Sequence, residues 1–311
     1  MIMRLLTVYI ILVLALSGVV GFHNSKILGH KVRSTSQARV SVPVTPLSKM
    51  DSRTQLKFAT DALVGASLPV QGFALNSVLA CILKIKGTNS LTDAGLFHAF
   101  LLGWGLWSTL GPIGWVYGVA YFVLGVAVTK VKMAEKESLG IAEKRGGARG
   151  PENVWGSAGM AMLCAIASLN APSATVASAL NVGFAASLAT KLADTFGSEI
   201  GKAYGKTCYL ITTFKLVPRG TEGAVSVEGT LAGVLASVIM AAISQALGLV
   251  SGSSAVAAVI VAAFLATTAE SYIGAIFQDN MPWLTNELVN FIMTVIGAAV
   301  AIALTMLATA V

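Results

Sequence analysis

A succession of long apolar segments constrains the fold of this chain more than any other feature. Segments rich in Ala, Val, Leu and Ile recur from residue 61 to the C-terminus. Most are long enough to cross a hydrocarbon core of about 30 Å at roughly 1.5 Å per residue. Only 11% of the residues are charged and 55% are hydrophobic, whereas a soluble domain usually carries about 25% charged residues. Most of the protein surface therefore faces something other than water.

These segments predict an all-α integral membrane protein with about seven or eight transmembrane helices. They are continuously apolar rather than alternating, which favours helices over membrane β-strands. The second and third are short and are separated only by Gly111-Pro112. Small residues such as Gly229 and Gly233 are dense in the later segments, where they let helices approach closely. The predicted segments are 61–83, 95–109, 112–129, 154–170, 173–193, 229–250, 254–276 and 289–310.

The first 50 residues have the composition of a two-part targeting sequence. Arg4 precedes an apolar run and small residues, the pattern of a cleaved signal peptide at residues 1–21. Residues 22–50 are basic, rich in hydroxyl groups and free of Asp and Glu, as in an organelle transit peptide. The combination resembles the presequence of algae with secondary, red-type plastids. It predicts a membrane domain at 51–311 in a plastid membrane; a signal anchor followed by a disordered tail is the alternative.

The net charge of +7 comes from this leader. The leader holds six of the 21 Lys and Arg residues, which leaves 15 basic against 14 acidic residues in the body. A nucleic-acid-binding surface is therefore not expected. The three cysteines are far apart, and no CxxC or His/Cys metal spacing occurs. We expect them to be small packing residues.

An eight-span topology places every substantial polar loop on one side of the membrane. Loops 130–153 and 194–228 are rich in Lys and Arg, and such loops stay on the side where synthesis or import leaves them. In a plastid membrane that side is the stroma. The loops 84–94, 130–153, 194–228 and 277–288 can therefore build one shared site.

Loop 194–228 holds the residues best suited to chemistry. Asp194 lies where an apolar segment ends, and carboxylates at membrane depth usually serve function. If the helix continues, Asp194, Ser198 and Gly201 share one face, with Glu199 one position off it. Paired carboxylates and a hydroxyl suit Mg²⁺, which keeps coordination sites for substrate phosphates. Glycines and cations beside such an ion are what phosphoryl or nucleotidyl transfer requires.

Other interpretations of the same residues stay open. Charged residues that flank membrane helices are usually interfacial anchors, and Gly-rich turns are usually only turns; Lys202, Lys206 and Glu222 suit that role best. The basic, Gly-rich run 142–153 is either a phosphate-binding segment or an ordinary basic loop. Glu270 lies inside an apolar segment and is a functional candidate by default. No GxxxxGK[ST] sequence occurs, which excludes an ordinary P-loop kinase.

Several ordered motifs resemble the transmembrane protein 19 family, also called domain of unknown function 92. The resemblance covers most of residues 60–310, and the run 126–154 is similar to the plant and cyanobacterial branch. That branch includes the phytyl-phosphate kinase of vitamin E synthesis. The motifs are Asp194-Thr195-x-x-Ser198-Glu199-x-Gly201, Val217-Pro218-x-Gly220-Thr221-x-Gly223 and Glu270-Ser271-Tyr272-x-Gly274-Ala275.

The resemblance implies a kinase that converts phytyl phosphate to the diphosphate with CTP and Mg²⁺, for tocopherol and phylloquinone synthesis. Its partners would be an isoprenoid phosphate, a nucleoside triphosphate and the membrane, with no nucleic acid. In dolichol kinases and related CTP-using enzymes, Asp-Thr, Ser, Gly, Lys and Glu-Gly-Thr follow one another in a similar order to that in this chain. At Glu222 the chain departs from the family, which often has Asn there.

The expected site combines the residue pattern with this resemblance. Asp194 and Glu199 would hold Mg²⁺ with help from Ser198, while Lys215 and Arg219 would neutralise phosphates. The expected catalytic residues are Asp194, Glu199, Lys215, Arg219 and Glu228. The expected cofactor-binding residues are Ser198, Gly201, Gly220, Thr221, Gly223, Gly229 and Thr230.

Two other functions suit the same features. A polyprenyl-phosphate cytidylyltransferase would use a similar site but release pyrophosphate. A membrane transporter or lipid carrier would suit the intramembrane carboxylates Asp194 and Glu270 and the Gly-rich helices, although no internal repeat is visible.

Overall fold

The structure, a computed structural model, describes residues 63–310, except for the side chains of Asp279 and Ala310. The predicted signal and transit peptides lie outside the described residues. The chain divides into two compact units with the boundary between Gln71 and Gly72. In the first unit, Gln71 Nε2 donates to the carbonyl oxygen of Ala66 at 2.9 Å.

Eight α-helices have both ends within the described residues. All except α3 and α4 are long and apolar enough to cross a membrane. The helices are α1 (Leu68–Lys86), α2 (Asp93–Thr129), α3 (Met133–Ser138), α4 (Pro151–Leu169), α5 (Ala174–Tyr204), α6 (Val227–Ala246), α7 (Ser253–Phe277) and α8 (Asn286–Ala310).

Hydroxyl side chains fix the starts of three of these helices. Thr92 accepts a hydrogen bond from the amide of the third residue that follows it, at 3.0 Å, and so begins α2. Ser173 does the same for α5 at 3.2 Å, and Ser226 for α6 at 3.1 Å. Such caps satisfy amides that have no partner in the first helical turn.

Helix α2 consists of two halves that fold back on each other. Gly111 has φ 67° and ψ −158°, outside the helical region, and Pro112 follows it. Glycine adopts a positive φ without steric cost, and proline cannot continue the preceding hydrogen-bond pattern. The rings of Trp107 and Trp115 lie 5.9 Å apart, and a Cβ at Gly103 would lie 3.2 Å from Trp115 Nε1. Residues 103 and 115 would be about 18 Å apart in a straight helix, so the halves are antiparallel.

The predicted break at Gly111-Pro112 is therefore confirmed. Counting the halves of α2 separately gives eight long helical segments within residues 63–310. The fold class, an all-α integral membrane protein, is confirmed as well.

Helix α5 is the central helix of the bundle and packs against α2, α4, α6, α7 and α8. Its Phe184, Leu188 and Leu192 are fully buried. A helix that is buried on all sides needs small side chains where neighbours approach, which explains its many Ala residues. The helix continues to Tyr204, beyond the predicted end of the span at residue 193.

The backbones of α5 and α6 touch each other. A Cβ at Gly229 would lie 2.6 Å from the carbonyl oxygen of Gly197, and a Cβ at Gly233 would lie 2.9 Å from that of Ala193. Neither position has room for a side chain without moving a helix. The predicted close packing of these small residues is confirmed.

The segment between α5 and α6 forms a small antiparallel sheet, which the sequence analysis did not predict. Strands of two or three residues are too short to show an alternating pattern. The strand order is β2-β1-β3, with Cys208 opposite Val217 and Tyr209 opposite Val225. The strands are β1 (Cys208–Leu210), β2 (Leu216–Val217) and β3 (Ala224–Val225).

A buried ion pair fastens the short helix α3 to α5. Lys136 is fully buried, and its Nζ pairs with Glu199 Oε2 and donates to the carbonyl oxygen of Thr129 at 2.8 Å. The other carboxylate oxygen of Glu199 lies 3.5 Å from Lys202 Nζ. Charges are costly to remove from water, so a buried carboxylate between two ammonium groups is a fixed structural contact.

The close contact of α5 and α6 predicts that Gly233→Val destabilises the protein. The new side chain must push the helices apart, which we expect to lower the free energy of unfolding by about 1–3 kcal/mol. Thermal unfolding in detergent measures the change. The matched control is Leu231→Val on the same helix, where the side chain is 64% exposed. Equal melting temperatures for both variants would contradict the contact.

The buried pair predicts that Lys136→Met lowers the free energy of unfolding by about 3–5 kcal/mol, because Glu199 keeps a buried charge without its main partner. The exposed Lys130 provides the control, and Lys130→Met should leave the melting temperature unchanged. Adding Glu199→Gln to Lys136→Met should restore part of the loss. A stable single variant would show that the pair does not hold α3.

Candidate functional site

A cavity of about 710 Å³ lies at the end of the bundle where the polar loops meet. Its wall includes residues from α5, α6, α7 and the first turn of α8, together with residues 141–149 and 220–226. Loops 130–153, 194–228 and 277–288 therefore share one site, as the sequence predicted. Loop 84–94 holds the backbone of Arg149, a residue of this wall, because the amide of Arg149 donates to the carbonyl oxygen of Ser90 at 3.0 Å.

Among the carboxylates that line the cavity, three come from separate elements and lie towards one another: Asp194 on α5, Glu222 before β3 and Glu270 on α7. Glu270 is within electrostatic range of both Asp194 and Glu222. An oxygen of Glu222 would lie 4.0 Å from a Cβ at Gly274, one turn beyond Glu270. Glu222, which the sequence suggested was a surface charge, therefore belongs to the wall of the site.

Lys191 lies among these carboxylates and was missed by the sequence analysis. Its Nζ donates to Asp194 Oδ2 at 2.6 Å and to Asn290 Oδ1 at 3.0 Å, and the residue is only 9% exposed. The pair fixes the orientation of the Asp194 carboxylate. A signal was present, since Lys191 is the one charged residue in the predicted span 173–193 and such residues usually serve function.

The Gly-rich basic run 142–153 contributes Lys144, Arg145 and Arg149 to the cavity wall. Arg149 Nη1 donates to Tyr121 Oη at 2.9 Å, which holds the guanidinium in place. Arg145 Nη2 lies 2.5 Å from Glu152 Oε1. The structure therefore places the cations of this run at the cavity.

Three groups outside the membrane-spanning segments have shifted pKa values. The hydrogen bond from Arg145 lowers the pKa of Glu152, and the hydrogen bond from Lys132 lowers the pKa of Glu135. Burial raises the pKa of the Cys208 thiol. At neutral pH both carboxylates are therefore charged partners of the loop cations, and Cys208 is a neutral thiol.

Most of the predicted site residues line the cavity. Because α5 continues past Asp194, this residue, Ser198 and Gly201 lie on one helical face, as expected. The predicted residues in the wall are Asp194, Ser198, Glu199, Gly201, Gly220, Thr221, Gly223, Gly229 and Thr230.

The predicted role of Glu199 as a metal ligand needs a correction. It was expected to hold a metal with Asp194, but both of its oxygens pair with ammonium groups, those of Lys136 and Lys202. One position along a helix is a rotation of about 100°, which turns Glu199 away from the face of Asp194 and Ser198. The carboxylate near Asp194 that the structure offers instead is Glu270.

The predicted catalytic roles of three further residues also need correction, because the cavity wall does not include Lys215, Arg219 or Glu228. Lys215 is exposed just before β2. Arg219 Nη1 donates to the carbonyl oxygens of Lys202 and Ala203 at 3.3 and 3.5 Å, where a cation stabilises the end of α5. Glu228 Oε1 accepts from the amide of Lys206 at 3.4 Å. The side chains of Arg219 and Glu228 instead hold the loop between α5 and α6 in place.

The polar groups nearest Asp194 offer oxygen donors from carboxylates, amides and hydroxyls. In the part of the chain that the structure describes, no three His, Cys, Asp or Glu side chains are grouped to hold a metal by themselves. Mg²⁺ is commonly held by one or two carboxylates and completed by water and substrate phosphates. The donor set fits such an ion and does not fit a soft metal.

Comparisons with known proteins identify the family of this chain. The family model described as integral membrane protein DUF92 matches residues 76–298. An uncharacterized membrane protein of Synechocystis is 51% identical over 73% of this chain and 88% of its own length. Protein VTE6, chloroplastic, of Arabidopsis thaliana is 48% identical over 72% of this chain and 67% of its own length.

The similarity extends to an archaeon. An uncharacterized membrane protein of Methanocaldococcus jannaschii is 29% identical over 72% of this chain and 91% of its own length. No solved structure matches the chain. The resemblance read from the sequence motifs is confirmed, and the chain belongs to the DUF92 family of integral membrane proteins.

Proposed function

We propose that the protein transfers a phosphoryl group from CTP to phytyl phosphate, or a related isoprenoid phosphate, in a plastid membrane. The product diphosphate would serve tocopherol and phylloquinone synthesis. One observation carries the proposal: a single cavity joins a cluster of carboxylates and cations to walls inside the membrane-spanning helices. Similarity to the plant protein whose name places it in the chloroplast supports the location.

Asp194 and Glu270 would hold Mg²⁺, with Ser198 nearby. Bound there, the ion would neutralise phosphate oxygens in the transition state. Lys191 Nζ donates to Asp194 Oδ2 at 2.6 Å and also to Asn290 Oδ1 at 3.0 Å, which holds the ammonium group and so fixes the Asp194 carboxylate. A carboxylate that is held in one orientation loses little entropy when it binds an ion, which favours a well-defined site.

The basic wall would bind the nucleotide phosphates. Lys144, Arg149 and Lys202 supply cations to the cavity wall. Gly220 and Gly223 also line the cavity and have φ of 86° and 72°, a conformation that glycine adopts easily. Backbone amides in such turns can approach phosphate oxygens closely.

The acceptor in this reaction is already a phosphate, so it needs little help from a general base. Its oxygen attacks the γ-phosphorus of CTP, and the bond from that phosphorus to the β-γ bridging oxygen breaks to release CDP. Catalysis then depends on position and charge stabilisation, which lysine and arginine groups would supply directly and the carboxylates would supply by holding Mg²⁺.

The proposal predicts that the purified protein with phytyl phosphate, Mg²⁺ and labelled CTP makes phytyl diphosphate and CDP. Separating the nucleotide products distinguishes this reaction from that of a cytidylyltransferase, which would release pyrophosphate. ATP and UTP in place of CTP measure the nucleotide preference. Turnover with none of the three nucleotides would overturn the proposal.

The cavity geometry predicts that Asp194→Asn lowers kcat at least about 100-fold, because charge stabilisation at the reacting phosphates is lost. Glu270→Gln should lower activity in a manner that higher Mg²⁺ concentrations partly restore. The matched control is Asp93→Asn, whose exposed carboxylate pairs with Lys84 at 2.6 Å, and it should retain full activity. Melting temperatures check that the variants fold. Full activity of folded Asp194→Asn would contradict its role.

A further inference from the structure

The cavity continues from the carboxylate cluster into the membrane between α6 and α7. Its deeper wall is formed by one face of each helix, and we name this part the α6–α7 channel. On α7 the lining descends from Glu270 to Phe264, a distance of about 9 Å at the rise of an α-helix. The channel residues are Val234, Ser237, Phe264, Thr267 and Thr268.

The channel wall has no free polar group, although three of its residues carry hydroxyls. Ser237 Oγ donates to the carbonyl oxygen of Val234 at 2.7 Å. Thr268 Oγ1 donates to that of Phe264 at 2.8 Å, and Thr267 Oγ1 to that of Ala263 at 3.0 Å. Hydroxyl groups that donate to a carbonyl oxygen of their own helix do not require a hydrogen-bond acceptor on a ligand. The channel is therefore suited to an apolar chain.

The channel lies beside residues that face the lipid. Phe264 lines it and is also 47% exposed, at a point well inside the apolar helix α7. The neighbouring Leu235 and Leu265 are 56% and 47% exposed on the same two helices. Exposed apolar residues within a membrane span contact lipid, so an apolar chain reaches the channel sideways without crossing water.

We infer that the isoprenoid chain of the substrate lies in the α6–α7 channel, with its phosphate at Asp194, Lys191 and Glu270. This inference rests on the proposed function, which supplies the phosphate-bearing lipid. The channel is shorter than a phytyl chain, so only the isoprenoid units nearest the phosphate contact protein and the far end lies among lipids. The enzyme therefore recognises the chain near its phosphate and tolerates different total lengths.

Narrowing the channel tests the inference by kinetics. Val234→Phe and Thr268→Phe each place a ring in the channel, and we expect kcat/KM for phytyl phosphate to fall at least about tenfold. For the short substrate dimethylallyl phosphate, kcat/KM should fall much less. The matched controls Leu235→Phe and Leu265→Phe face lipid on the same helices and should leave both substrates unaffected. Equal losses for both substrates in the channel variants would overturn the inference.

A second measurement does not depend on turnover. A phytyl phosphate analogue with a diazirine on the second isoprenoid unit is photolysed with the wild-type protein in vesicles, and labelled peptides are identified by mass spectrometry. Labels should fall on the channel residues, disappear in Val234→Phe, and be displaced by phytyl phosphate. Equally effective displacement by phosphatidic acid, or labels spread over lipid-facing residues, would overturn the inference.

The two measurements separate the channel from the kinase activity. If the channel residues are labelled but no nucleotide is turned over, the isoprenoid chain binds in the α6–α7 channel and the proposed function is overturned. Turnover by wild-type protein, combined with unchanged substrate selectivity in both channel variants, supports the kinase and overturns the channel.

Discussion

The backbone contact between α5 and α6 determines where the chemistry of this protein can lie. Gly229 and Gly233 place α6 directly against the carbonyl oxygens of α5 at Gly197 and Ala193. The helices approach so closely that no cavity fits between them along this line. The free space instead lies beside the pair, towards α7, so that α7 supplies the facing wall and the carboxylate of Glu270 is brought towards Asp194.

Two buried ion pairs on α5 serve different purposes, because their surroundings differ. Glu199 has an ammonium group at each oxygen and needs no further cation. Asp194 has Lys191 as its partner, but Glu222 and Glu270 lie in the same cavity. Like charges that are held together raise the free energy of the folded protein unless a cation joins them. The second pair therefore suits the metal ion and phosphate ligands of the proposed function, and the first pair does not.

The sequence predicted the features that depend on local pattern, and missed those that depend on distant partners. Apolar runs, the break at Gly111 and the shared face of Asp194 and Ser198 follow from length and helical period. The role of Glu199 depended on Lys136, which lies 63 residues earlier, and no local pattern encodes that pairing. Lys191 could have been found as a lone charge in a span, whereas its contact with Asn290, 99 residues away, could not.

The placement of the polar groups favours an enzyme over a transporter for a physical reason. A transporter must expose its site to each side of the membrane in turn. Here the described loops with substantial polar surface all lie at one end, and the cavity wall extends along α6 only to Ser237, about halfway down the helix. A lipid phosphate and a nucleotide can meet in such a cavity from the same side, the lipid through the bilayer and the nucleotide from water. The product keeps its apolar chain and can leave sideways, so no group has to cross the membrane.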